Sequence, residues 1–149
     1  MKKYLLVLGI LLFAFTSCED DDFCSEPTTP RLVIGFYDIN SPSTKKTLPI
    51  YVWANEKDSI YQLATVDSIL VPLDTQNTFS LYKIANENRV DEFKFVYTVT
   101  DKYVSESCGY IGIFNDFSLE SNTSNWIEDI DVNVIKVENE TETHVKIYH

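Results

Sequence analysis

Between residues 92 and 100 the large apolar side chains fall at every second position. Phe93, Phe95, Tyr97 and Val99 share one face, with Lys94, Thr98 and Thr100 opposite. Successive side chains of an extended chain point to opposite faces, so this period of two predicts a half-buried β-strand. Leu48, Ile50 and Val52 alternate in the same way with Pro49, Tyr51 and Trp53. Residues 31–38 are strongly apolar, and 59–63, 68–73 and 78–84 are shorter β-rich pieces. Residues 110–114, 126–137 and 143–148 complete the set. Polar turn clusters at 40–43, 55–58, 74–77, 86–89 and 120–125 separate these segments.

No stretch of a dozen residues carries a helical period of 3.6. Eight or nine strands joined by polar turns predict an all-β fold. The expected form is an antiparallel β-sandwich, immunoglobulin-like or transthyretin-like in outline, with Greek-key connections. Pro49 and Pro72 are expected on edge strands or at bulges, because proline cannot donate to a ladder. With four glycines in 149 residues, longer turns are expected in place of tight two-residue hairpins.

The amino terminus follows another rule. Lys2 and Lys3 precede an uncharged apolar run over residues 4–15, the pattern of an export signal. The run is shorter than the roughly 20 residues a membrane-spanning helix needs, and an acidic flank follows it. Phe15-Thr16-Ser17-Cys18 resembles a bacterial lipobox, in which the chain is cut before the cysteine and the cysteine is acylated. Phe15 and Ser17 depart from the Leu and the Ala or Gly usual at those places. The resemblance implies a removed signal over residues 1–17, a lipidated acidic tether over 18–30 and one β-sandwich domain over 31–149. An ordinary secretory signal followed by a free Cys18 thiol is the alternative.

Charge and cysteine counts then change meaning. The full chain carries 23 acidic and 12 basic residues, a net charge of −11, which excludes the basic footprint that nucleic-acid phosphates require. At 44% hydrophobic and 13% aromatic the chain is too apolar to be disordered. Loss of residues 1–17 removes two lysines and leaves −13. Glu19, Asp20, Asp21 and Asp22 follow the lipobox cysteine at once and resemble an acidic surface-export signal of Bacteroidetes-type lipoproteins; a solvated, self-repelling tether is the other reading. With Cys18 set aside, Cys24 and Cys108 are an even pair in an oxidising compartment. That favours a disulfide over free thiols, since neither lies in a C-x-x-C motif.

Motifs for chemistry are sparse. There is no HExxH, no G-x-S-x-G elbow and no phosphate-cradling glycine loop. His144 and His149 are five apart in a predicted strand and point to opposite faces, so neither a metal centre nor any other cofactor is expected. Asp129, Asp131 and Asn133 form a row of oxygen donors suited to calcium or, more simply, to water. Tyr51 and Trp53 share a strand face and are candidate glycan contacts, with Tyr61, Tyr103 and Trp126 as candidate neighbours; burial in the core is the competing reading. Asp58-Ser59-Ile60 and Asp67-Ser68-Ile69 resemble short O-glycosylation sites with Ser59 and Ser68 as acceptors, although Asp-Ser is also a turn pair.

The lipobox, Cys24, the Pro30-Arg31-Leu32-Val33 opening, Cys108-Gly109-Tyr110, Asn125-Trp126-Ile127 and the ending His144 to Tyr148 together resemble an uncharacterised family of small Bacteroidetes lipoproteins. That resemblance brings no catalytic residues. It implies a non-catalytic envelope lipoprotein, held in the outer membrane by its lipid, on the cell surface or the periplasmic face. The expected role is as a protein-docking or accessory module of an outer-membrane assembly, with an outer-membrane protein as the expected partner. A surface glycan-binding module is the alternative, and an enzyme acting on envelope polymers the third reading.

Overall fold

The computed structural model describes Cys24, residues 28–55 and residues 57–149. The expected signal peptide, Cys18 and the acidic residues Glu19 to Asp22 lie outside the described residues. Among the latter the chain forms eleven strands and no helix: β1 (Leu32–Asp38), β2 (Ser41–Lys45), β3 (Leu48–Ala54), β4 (Ser59–Val66), β5 (Ser68–Val71), β6 (Phe79–Asn86), β7 (Arg89–Ser105), β8 (Gly109–Asn122), β9 (Asp129–Val132), β10 (Lys136–Val137) and β11 (Val145–Tyr148).

Two sheets face each other. The first runs β2-β1-β11-β9, with β5 also paired to β1; the second runs β10-β8-β7-β6-β3-β4. The alternation of apolar residues decides which side chains meet between them. Leu32, Ile34 and Phe36 of β1, Ile69 and Val71 of β5, and Val145 and Ile147 of β11 come from the first sheet. They pack on Leu48, Ile50, Val52, Tyr82, Ile84, Phe93, Phe95, Tyr97, Phe114 and Phe117 of the second. All are buried, as an all-β sandwich requires.

Several details differ from the sequence expectations. β1 and β11 are parallel, Ile34 opposite Val145 and Phe36 opposite Ile147, so the sandwich is antiparallel apart from this one described pair. Residues 41–43, read as part of a turn, form the exposed strand β2 together with Thr44 and Lys45; no apolar alternation marks it because it has no buried face. The segment 126–137 is divided, because β9 pairs with β11 in the first sheet while β10 pairs with β8 in the second. The chain crosses the sandwich between them.

Pro72 follows β5 and ends it. Pro49, expected on an edge or at a bulge, lies in the inner strand β3 opposite Thr65 of β4, two residues before Tyr51, where pairing with β6 begins opposite Ala85, so its missing N–H removes no bond to β6. On β8, Val96 faces Ser118 and Thr98 faces Asn115, which leaves one extra residue in β8. Asp116 takes φ 52° there. This bulge turns both Phe114 and Phe117 inward although they are three apart.

Candidate functional site

β7 and β8 are the longest strands, and their far halves leave the sheet. Pairing of β6 with β7 ends at Phe79 opposite Val96, and β10 reaches only Phe114 and Asn115 of β8. Beyond these points the hairpin continues as a two-stranded arm from Thr100 opposite Ile113 to Ser105 opposite Gly109. Gly109 adopts φ +69° at its turn, a conformation that glycine takes without steric cost. Tyr103 and Tyr110 are direct cross-strand partners near the tip, with ring centroids 5.4 Å apart and planes at 66°. They remain 57% and 67% exposed.

The start of the domain is fastened along this arm. Cys24 and Cys108 form a disulfide, Cα to Cα 4.9 Å, spanning 84 residues. Gly112 donates its N–H to Thr29 Oγ1 at 3.0 Å. A Cβ added at Gly112 would lie 3.1 Å from Thr75 Cγ2 and 3.6 Å from Thr29 Cγ2, so the arm accepts close neighbours there. Arg31 then grips Glu140: its backbone N and its Nε each donate to Oε1 at 2.9 Å, and its terminal nitrogen to Oε2 at 2.8 Å. The hydrogen bond and charge of Arg31 hold the Glu140 carboxyl below the ordinary value, against a smaller opposing effect of burial.

A second surface lies on the outside of the second sheet. Tyr51 pairs with Ala85 and Trp53 with Lys83, and paired residues share a face. Tyr51 is 39% exposed and Trp53 half-buried. Together with Lys57, Ser59 and Ala85 they line a shallow depression of about 430 Å³. The face continues through Lys83 with Glu92 and Lys94 with Glu120, 3.7 and 2.5 Å apart, and Lys94 Nζ stands 5.0 Å from the Phe79 ring centroid.

The other aromatic candidates do not join this face. Tyr61 packs against the core, and its hydroxyl accepts the Leu70 N–H at 3.0 Å. Trp126 is buried and donates Nε1–H to Ile84 O at 3.2 Å. Tyr103 lies out on the arm. Tyr110 was not among the expected contacts, although Cys108-Gly109 between two tyrosines is a turn that would have paired them.

The remaining candidates are tied into the fold. His144 is buried and its Nδ1 accepts the Val33 N–H at 3.0 Å. His149 packs edge-on against Phe36 and Trp126, with centroids 6.4 and 5.8 Å away. Burial lowers the pKa of both. Asp129 and Asp131 point outward from β9, and Asp131 accepts the Tyr148 hydroxyl at 3.1 Å. Among the described residues no group of three or more His, Cys, Asp or Glu is placed to hold a metal ion. Ser59 and Ser68 open β4 and β5, half-buried, and Ser68 Oγ donates to Asp67 Oδ1 at 2.7 Å.

A further hollow of about 390 Å³ is bordered by Asp58, Asp74, Asn77 and Phe79. Asp74 is engaged in its own turn, accepting from Gln76 N at 2.8 Å and Asn77 Nδ2 at 2.9 Å, and these bonds depress its pKa.

A model of a family of unknown function, DUF6452, matches residues 49–149. The chain belongs to the DUF6452 family. No curated protein and no solved structure matches it. The DUF6452 match takes in the second sheet, the aromatic face and the whole hairpin arm with Cys108. Cys24, Thr29 and β1 precede it. The family is therefore represented here by a domain whose first sheet is completed, and whose arm is bridged, by residues outside the matched region.

Proposed function

We propose that the protein is a non-catalytic, lipid-anchored cell-envelope lipoprotein of the outer membrane that serves as a protein-docking module. The observation that carries this reading is the fastening of the chain just downstream of the lipobox-like Cys18. Cys24, Thr29 and Arg31 are each bonded to the folded body. Such a junction passes the position of an anchor to the domain instead of leaving the domain on a loose leash, as suits a module that must present a surface to a neighbour in the membrane. The uncharacterised Bacteroidetes-type lipoprotein family resembled by the sequence fits the same role.

The test is mass spectrometry of the protein extracted from membranes, followed by in-cell crosslinking from lysines of the outer sheet face. A diacylglyceryl-modified Cys18 and a reproducible crosslink to one outer-membrane protein are expected. Loss of membrane attachment in Cys18→Ala should accompany them. An unmodified Cys18 overturns the anchor, and recovery of lipid alone overturns the docking role.

Glycan binding is the second reading, favoured by the exposed Tyr51 ring and the adjoining Trp53 over the depression on β3. Flat rings on a rigid strand stack on sugar faces. Affinity electrophoresis in envelope polysaccharides tests it: retardation should be lost in Tyr51→Ala and Trp53→Ala and kept in Tyr110→Ala.

A further inference from the structure

We propose that the tip of the β7–β8 arm, through Tyr103 and Tyr110, rests in the interfacial layer of the membrane and sets the orientation of the domain upon it. The proposal rests on acylation of Cys18. Three observations converge on it. The tip carries two tyrosines in mutual contact that stay largely exposed, 57% and 67%. The arm extends past all pairing with the rest of the sheet. The disulfide fastens Cys24 at this same end of the molecule and to no other part of it.

Chain length supplies the occupant. Cys18 precedes Cys24 by six residues, which span at most about 20 Å when fully extended. Acyl chains on Cys18 must lie in the leaflet, so the arm tip is held within about that distance of it. Val90, at the opposite end of β7, is thirteen residues from Tyr103, a distance of roughly 43 Å along the strand.

Tyrosine suits the boundary between acyl chains and headgroups, where its ring is shielded and its hydroxyl stays hydrated. Lys102 points to the opposite face of the arm from Tyr103, and Asp101 and Glu106 are exposed with it, so the tip has no net positive charge and its contact rests on the two rings. The acidic residues Glu19 to Asp22 are repelled by anionic lipid and favour shallow contact over deep insertion. The partner that this combination selects is the lipid surface itself, with the sandwich and its Tyr51–Trp53 face held outward.

The test uses the full chain, purified from membranes and reconstituted in vesicles of phosphatidylethanolamine and phosphatidylglycerol at 3:1 whose acyl chains are brominated. Its mass reports acylation and the intact disulfide. Tyr110→Trp serves as the reporter and Leu63→Trp, at a 61% exposed position on the distant β4, as the control. Both emissions are read as differences from the parent. An acylated protein in which Tyr110→Trp shifts to the blue and is quenched at least twofold, while Leu63→Trp is not, is the expected result.

Equal quenching at both sites, or none at either in the acylated protein, overturns the tip contact and leaves the anchor standing. The same holds if the Tyr110→Trp shift appears only on adding an outer-membrane protein. An unacylated chain overturns the anchor and the tip contact together.

Discussion

Trp126 donates its backbone N–H to Asp91 Oδ2 at 2.9 Å, tying the connection from β8 to β9 of the first sheet to β7 of the second. The buried carboxylate also accepts Ile127 N at 3.1 Å, Asn125 N at 2.6 Å and the Thr123 hydroxyl at 2.8 Å. Burial opposes ionisation of Asp91, but these donors outweigh it and the pKa is lowered. Asp91→Ala strands several buried N–H groups and is expected to cost about 3 kcal/mol in urea unfolding. Asp91→Asn, which keeps one acceptor oxygen, should lose less. The carboxylate's contribution is present above the unfolded value near 3.8 and is lost as pH falls through the lower folded value. The acid unfolding curve of Asp91→Asn should therefore be flatter below about pH 4.

His144 acts in a separate pH window. Burial lowers its pKa, against the charges of Glu142 and Glu140, and its Nδ1 must be unprotonated to accept the Val33 N–H. His149 is lowered chiefly by burial as well. Below the unfolded value of 6.5 the unfolded chain takes up protons that the folded chain resists. Stability is thus complete above that value and falls as pH drops towards the folded pKa values, at most about 1.4 kcal/mol per pH unit for each histidine. His144→Gln retains an acceptor without the charge. Its unfolding midpoint should change less than that of the parent between pH 6.5 and 5, and one imidazole NMR titration below the usual value should vanish.

Most of the core was legible from residue order alone. The period of two at Phe93, Phe95 and Tyr97, and at Leu48, Ile50 and Val52, required one buried face, and each of these side chains is inside. The bulge at Asp116 was not legible, because its cause is the need to seat Phe114 and Phe117 on the same side, which only the partner strand reveals. β2 has no buried face and so left no pattern. The arm was hidden for a different reason: Tyr103 read as a candidate neighbour of Tyr51 and Trp53, and Tyr110 as the start of a short strand, until their cross-strand pairing placed them side by side. For Tyr51 and Trp53 the period gave the shared face, but their exposure depends on what covers the sheet, which local order does not encode.

Tyr61 joins the two sheets at their rim. On β4, the edge of the second sheet, its hydroxyl accepts the N–H of Leu70 in β5 at 3.0 Å and donates to the carbonyl of the same residue at 3.4 Å. Tyr61→Phe keeps the ring and removes both bonds. A loss of about 1 kcal/mol is expected, with faster hydrogen exchange at the Leu70 amide and unchanged exchange at Phe95 in the centre of β7.

The Cys24–Cys108 bridge closes a loop that takes in β1 to β7, 84 residues in sequence separation. Constraining so long a loop lowers the entropy of the unfolded chain, and about 4 to 5 kcal/mol of stability is expected from it. The sandwich core lies away from the arm and has its own packing, so the reduced protein should remain folded. Cys24→Ser with Cys108→Ser, or the parent in reductant, should show a lower urea midpoint together with faster amide exchange along the arm. Gly112 is the most informative position, because its N–H is held by Thr29 and that contact depends on the bridge to keep the N-terminal segment in place. An unchanged midpoint with unchanged Gly112 exchange would show that Thr29 and Arg31 suffice to hold the segment without the disulfide.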